Sequence, residues 1–121
     1  MPIKNILVVD DSPTDRQHLT DILAKGGYNV STAASAEEGI AKAKQSRPDL
    51  VLMDVVLPGH NGYQATRELS KDEATKNIPV ILCTSKNQET DKVWGMRQGA
   101  KDYVTKPING ADLLKKISAL G

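Results

Sequence analysis

Leu50-Val51-Leu52-Met53-Asp54 runs four apolar residues into a single carboxylate, and Val55-Val56-Leu57-Pro58-Gly59 follows. A short, unbroken apolar run bounded by turn residues reads as a β-strand buried on both faces. Such strands belong to parallel sheets covered by helices. A carboxylate at the end of one is costly unless something pairs with it. Asp54 is therefore the first residue to single out for chemistry.

The flanking sequence repeats the pattern. Ile6-Leu7-Val8-Val9 is a second buried strand, ending in Asp10-Asp11. A helix follows, with Ser12 as N-cap, Pro13 at its first position and Asp15 reaching back in a capping box. Leu19, Ile22 and Leu23 form its apolar stripe, and Gly26-Gly27 stops it. Val30 to Ala33 is a more polar strand suited to a sheet edge. Ser35 and Glu38 open the next helix, with Ile40 and Ala43 inward and Arg47-Pro48 at its end. Beyond Asp54, the loop Pro58-Gly59-His60-Asn61-Gly62 leads to a helix carrying Tyr63, Thr66 and Leu69. Val80-Ile81-Leu82-Cys83 is a strand ending in Thr84-Ser85. A helix from about residue 89 to 98, with Val93 and Met96 toward the core, closes at Gly99. Tyr103-Val104-Thr105 is a short strand ending at Lys106-Pro107, and Asn109 and Asp112 cap a last helix that buries Leu113, Ile117 and Leu120.

Five strands alternating with five helices imply a parallel sheet with right-handed crossovers. The expected class is α/β, a doubly wound, flavodoxin-like (βα)5 fold of strand order 2-1-3-4-5, with the second and fifth strands at the edges. The 121 residues suffice for one domain with a core, and residues 1–121 read as a single domain with no output domain. A net charge of +1 argues against a strongly basic nucleic-acid binder. The lone cysteine, Cys83, excludes an internal disulfide and reads as a small core residue. Without a signal-peptide core or a membrane-length apolar run, the expected location is the cytoplasm.

The polar residues collect in one kind of place. Asp10, Asp54, Thr84 and Lys106 each end a different strand, and in an open parallel sheet those ends share the edge where ligand sites form. Asp10, Asp11 and Asp54 set three carboxylates against one lysine. Two unit charges about 4 Å apart repel by roughly 4 kcal/mol at an effective dielectric near 20. A divalent cation relieves this, and all-oxygen ligands favour Mg²⁺. Lys106 could then neutralise a phosphoryl group carried by Asp54, and the Thr84 hydroxyl could donate to it. The protein would supply mainly position and charge, as phosphoryl transfer requires.

Asp10-Asp11, Asp54, Thr84, Tyr103 and Lys106-Pro107 together resemble the signature of the CheY-like response-regulator receiver domain of two-component signalling. The resemblance spans essentially the whole chain. It implies that Asp54 takes a phosphoryl group from a phosphohistidine on a CheA-like histidine kinase. It also implies that Asp11 binds Mg²⁺ directly and Asp10 largely through water, with Asp54 and the backbone carbonyl of Val56 completing the protein ligands. Lys106 would pair with the phosphoryl group, the Lys106-Pro107 bond would be cis, and Thr84 and Tyr103 would form a switch pair. A narrower resemblance, carried by Gln88 to Gly95, by Arg97 to Ala100 and by Asn61 to Arg67, is to stand-alone regulators of type IV pilus twitching motility. The expected protein is then a switch rather than an enzyme. It would dock on a downstream protein or act as a phosphate sink, without nucleic acid or membrane, as a monomer or weak dimer.

Each residue also has a plainer reading. Asp10-Asp11 could be helix N-terminal charge, Lys106 a surface lysine and Thr84 a turn residue; only the set overrides these. Tyr103 is evenly balanced between core and switch when judged without the family. Trp94 divides between packing and a half-exposed partner surface, which Tyr103 would share. His18 and His60 lack ligand-like neighbours. A haloacid-dehalogenase-type phosphatase also uses a strand-end Asp, but wants a second Asp two residues on, where this chain has Val56. A flavodoxin would need a first loop that cradles phosphate, and Asp10-Asp11 would repel it. Val56 and Lys86 flank the expected path of an attacking water. Val56 cannot position that water, and Lys86 can cover the site, so a slow loss of phosphoryl groups is expected.

Overall fold

A computed structural model describes residues 3–55, 57, 62–84 and 96–120. In chain order these form β1 (Asn5–Val9), α1 (Pro13–Lys25), β2 (Asn29–Ala33), α2 (Ala36–Ser46), β3 (Leu50–Asp54), α3 (Gly62–Lys71), β4 (Val80–Thr84), β5 (Asp102–Thr105) and α4 (Gly110–Leu120). The strands make one sheet of order β2-β1-β3-β4-β5, with every pairing parallel. This is the expected topology, with the second and fifth strands at the edges. The expected helix from about residue 89 falls largely outside the described residues, although Met96 and Arg97 are helical. Val56, His60, Lys86 and Trp94 also lie outside them.

The continuous apolar runs have a simple cause. Successive strand residues face opposite sides of a sheet, and here both sides are covered. Leu7, Val9, Val51, Met53 and Leu82 pack with Ala36 and Ala43 of α2 and Ala65 and Leu69 of α3. Ile6, Val8, Leu50, Leu52, Ile81 and Cys83 pack with Leu19 and Leu23 of α1 and Leu113 and Ile117 of α4. Each fully buried aliphatic side chain contributes about 1.5–3 kcal/mol. Cys83 is a core residue, and burial pushes its thiol pKa up to about 12.

The helix ends follow the sequence signals with one exchange of roles. Ser12 caps α1, its Oγ accepting from the Asp15 backbone N–H at 3.3 Å. The Asp15 carboxylate does not reach back. Asp10 does so instead, its Oδ1 accepting from the Ser12 N–H at 2.9 Å. The Asp15 carboxylate turns instead to the Lys106 ammonium, 3.0 Å away. Ser35 caps α2, and Glu38 Oε1 returns to the Ala34 N–H. Arg47 ends α2 in the left-handed region at φ 47°, just before Pro48. Asn109 caps α4 through the Asp112 N–H.

Two expected core residues stand outside. Leu120 is 37% exposed, and α4 buries only Leu113 and Ile117 of the expected stripe. Met96 is 40% exposed; it lies at the helix end, where its carbonyl accepts from the Gly99 N–H, and Ala100 takes the core position instead.

Asp49 ties the start of β1 to the entry of β3. Its Oδ2 accepts from the backbone N–H groups of Lys4 and Asn5, both at 2.9 Å. The Asn5 and Lys4 hydrogen bonds hold its carboxyl below the ordinary aspartate value. The resulting stability is present above the unfolded value near 3.8 and is lost as pH falls through the lower folded value. Asp49→Ala is expected to cost about 1 kcal/mol in urea unfolding at neutral pH. That difference should disappear in strong acid; a cost that persists there would locate the effect elsewhere.

Candidate functional site

The carboxyl ends of β1, β3 and β4 and the residue after β5 meet at one edge of the sheet. Asp10 leaves β1 with its backbone N–H donating to Ala33 O at 3.1 Å, and the Arg16 guanidinium donates to its carbonyl at 2.8 Å. Asp54 ends β3, where the Val55 N–H donates to Cys83 O at 3.3 Å. Lys106 follows β5, its N–H donating to Thr84 O at 2.6 Å, and the Lys106-Pro107 bond is cis as expected. Residues nearly a hundred apart in sequence are thus fixed by ladder hydrogen bonds rather than by flexible loops.

Asp10 is fully buried, Asp54 is 6% exposed and Asp11 is exposed. One carboxylate oxygen from each lies within 4.8 Å of the others. Three hard oxygen donors at this spacing, in a partly desolvated cleft, suit a small divalent cation. The backbone carbonyl of Val56, the fourth expected protein ligand, lies outside the described residues.

Lys106 Nζ stands 3.0 Å from Asp10 Oδ2, 3.0 Å from Asp15 Oδ2 and 3.5 Å from Asp54 Oδ1. Burial alone would lower its pKa. The hydrogen bonds that it donates to Asp15 and Asp10, with the charge of Asp54, outweigh burial and hold the ammonium above the ordinary lysine value. Lys106 therefore stays charged throughout the neutral range. Asp15 is the member that the sequence reading missed, having taken it for a helix cap. An acid on the first turn of a helix that opens at the sheet edge was the available signal.

Thr84 is buried, and its Oγ1 donates to Val104 O at 3.4 Å. Tyr103, on the paired strand, is half-buried against the α2–α3 side of the core. Lys116 Nζ lies 5.0 Å from its ring centroid and donates to its carbonyl at 2.7 Å. His18 approaches Ile108 O at 3.2 Å. Among the described residues, neither it nor any other histidine joins the carboxylate cluster.

A parallel sheet of this order, with carboxylates and a lysine converging beyond its strand ends, defines a class, and comparison with known proteins names it. The chain belongs to the response regulator receiver domain family, which it matches over residues 6–118. It is 57% identical over 115 residues to protein PilH of Pseudomonas aeruginosa, covering 95% of each chain. Chemotaxis protein CheY4 of Vibrio cholerae superposes with a TM-score of 0.90 at 31% identity, covering 98% of this chain and 99% of that one. The receiver domain of the sensor histidine kinase PA1611 from P. aeruginosa, solved with a magnesium ion coordinated in its active-site cleft, gives 0.88 at 31% identity, with coverages of 96% and 95%. The chain is thus a receiver domain of two-component signalling, and the phosphatase alternative finds no support. Among the described residues, no helix is long and apolar enough to cross a membrane.

Proposed function

We propose that the protein is a phosphorylation switch in which Asp54 accepts a phosphoryl group from a histidine kinase in the presence of Mg²⁺. The observation that carries this reading is the convergence on Asp54. Its carboxylate lies 3.5 Å from the Lys106 ammonium, and its oxygen lies within 4.8 Å of those of Asp10 and Asp11. Asp10, Asp11 and Asp54, with the Val56 carbonyl, would hold the ion. When bound, Mg²⁺ supplies positive charge that offsets both the carboxylates and the incoming phosphoryl oxygens.

The residues of the chain then have defined tasks. An Asp54 carboxylate oxygen attacks phosphorus, an O–P bond forms, and the bond to the donor breaks with its electron pair leaving on the donor. Lys106 screens the phosphoryl oxygens. Thr84 gives up its long hydrogen bond to Val104 O and donates to the phosphoryl group instead. Because Val104 adjoins Tyr103, that exchange disturbs the strand that carries the aromatic ring. Tyr103, with Trp94, would belong to the surface that a downstream protein reads.

The reading extends to context. Residues 1–121 act as one receiver domain, in the cytoplasm, as a monomer or weak dimer, and catalyse only their own phosphorylation and dephosphorylation. The donor is a CheA-like kinase. The resemblance to regulators of twitching motility, with the similarity to PilH, supports a role in type IV pilus control, as effector or phosphate sink. Val56 and Lys86 favour slow hydrolysis; decay of the phosphorylated form within seconds would contradict that point.

BeF₃⁻, a phosphoryl mimic, tests the switch. With Mg²⁺ present, it is expected to move the amide NMR signals of Asp54, Thr84, Tyr103 and Lys106. With Mg²⁺ chelated, it should leave them in place. A spectrum indifferent to BeF₃⁻ and Mg²⁺ would overturn the reading.

A further inference from the structure

We infer that Asp15 is a positioning residue: it tethers the Lys106 ammonium in the resting protein and must release it when an anion occupies the Asp54 side of the site. The inference rests on the phosphoryl-acceptor reading above. An ammonium has three N–H donors, and three carboxylates surround this one. Asp10 Oδ2 and Asp15 Oδ2 each stand at 3.0 Å, nearer than Asp54 Oδ1 at 3.5 Å. Two of its three donors are thus engaged, and a phosphoryl group that takes more than the one facing Asp54 must draw on them.

The two closer partners differ in what release costs. The Asp10 side chain is 1% exposed, and its other oxygen is committed to the Ser12 N–H. Left without Lys106, it would be a buried charge. The Asp15 side chain is 45% exposed, so water takes over when the ammonium leaves. The exchange therefore falls on Asp15. Its carboxylate is also available for this task because helix α1 does not need it. The N-terminal cap uses the Asp15 backbone N–H, and Asp10 rather than Asp15 satisfies the Ser12 donor.

The tether gives the site a sign-specific signature. Asp15 adds negative charge near an anion site and occupies its cationic partner, so it opposes anion binding. The same charge favours a cation on the neighbouring carboxylates. Removing it should move the two affinities in opposite directions, whereas a merely structural role would weaken both.

Calorimetric titration of the full chain tests this. In Asp15→Asn and Asp15→Ala, BeF₃⁻ at saturating Mg²⁺ is expected to bind about three- to tenfold more tightly, and Mg²⁺ alone about two- to fivefold more weakly. Asp15→Glu, which keeps a carboxylate within reach of Lys106, should resemble the wild type in both. Unchanged affinities in Asp15→Asn and Asp15→Ala, or affinities that fall together, would overturn the tether while leaving the acceptor reading intact. A wild-type protein that binds no BeF₃⁻ even with Mg²⁺ would overturn that reading itself, and the tether with it.

Discussion

Asp54→Asn is expected to yield a folded protein that takes no phosphoryl group from acetyl phosphate under conditions that modify the wild type completely. Asn has the same shape, so the packing at the end of β3 is kept. What is lost is the nucleophile, since an amide oxygen carries no full negative charge to direct at phosphorus. The substitution also removes one of the three carboxylates whose oxygens lie within 4.8 Å, so Mg²⁺ affinity should fall on the order of tenfold. Stability should stay within about 1 kcal/mol of the wild type. Relief of repulsion between carboxylates offsets loss of the Lys106 contact at 3.5 Å. Intact-mass measurement and thermal melts check both halves. A mutant modified as fully as the wild type would remove Asp54 from the acceptor role.

The second large effect belongs to a residue with no side chain. Helix α3 starts against the backbone of the acceptor, with the Gly62 N–H donating to Val55 O at 3.0 Å. A Cβ on Gly62 would lie 2.1 Å from Asp54 O and 2.8 Å from Val55 Cα. These are backbone atoms of a central strand and its exit, so no side chain can swing aside. Gly62→Ala is therefore expected to lose about 2–4 kcal/mol of stability. In the protein that remains folded, phosphorylation should slow tenfold to about a hundredfold, because small displacements of a reacting group are costly. Urea unfolding and the rate with acetyl phosphate measure the two effects. Wild-type values for both would show that α3 does not press on Asp54.

Much of this architecture was legible because its determinants are local. A strand buried on both faces must be apolar at every position, so β1, β3 and β4 announce themselves as unbroken runs. The polar residues that end them then stand out. Caps at Ser12, Ser35 and Asn109 obey rules three residues long, and they hold. The topology follows from alternation, and the shared sheet edge follows from the topology.

The misses have the opposite character. That Asp15 meets Lys106 depends on how a long side chain crosses between elements 91 residues apart, which no spacing encodes. Helical periodicity identified Leu120 as part of an apolar stripe but could not say that the buried part of that stripe ends at Ile117. Met96 was read from the same stripe logic, yet the turn closed by Gly99 hands the core position to Ala100.

Chemical trapping of the acceptor bears most directly on the account. The protein is incubated with acetyl phosphate and Mg²⁺, reduced with borohydride, which converts an aspartyl phosphate to homoserine, and digested for peptide mass spectrometry. The account predicts homoserine at position 54, absent without Mg²⁺ and absent in Asp54→Asn. Homoserine at another aspartate, or none at 54 while the protein still gains phosphate, would contradict it.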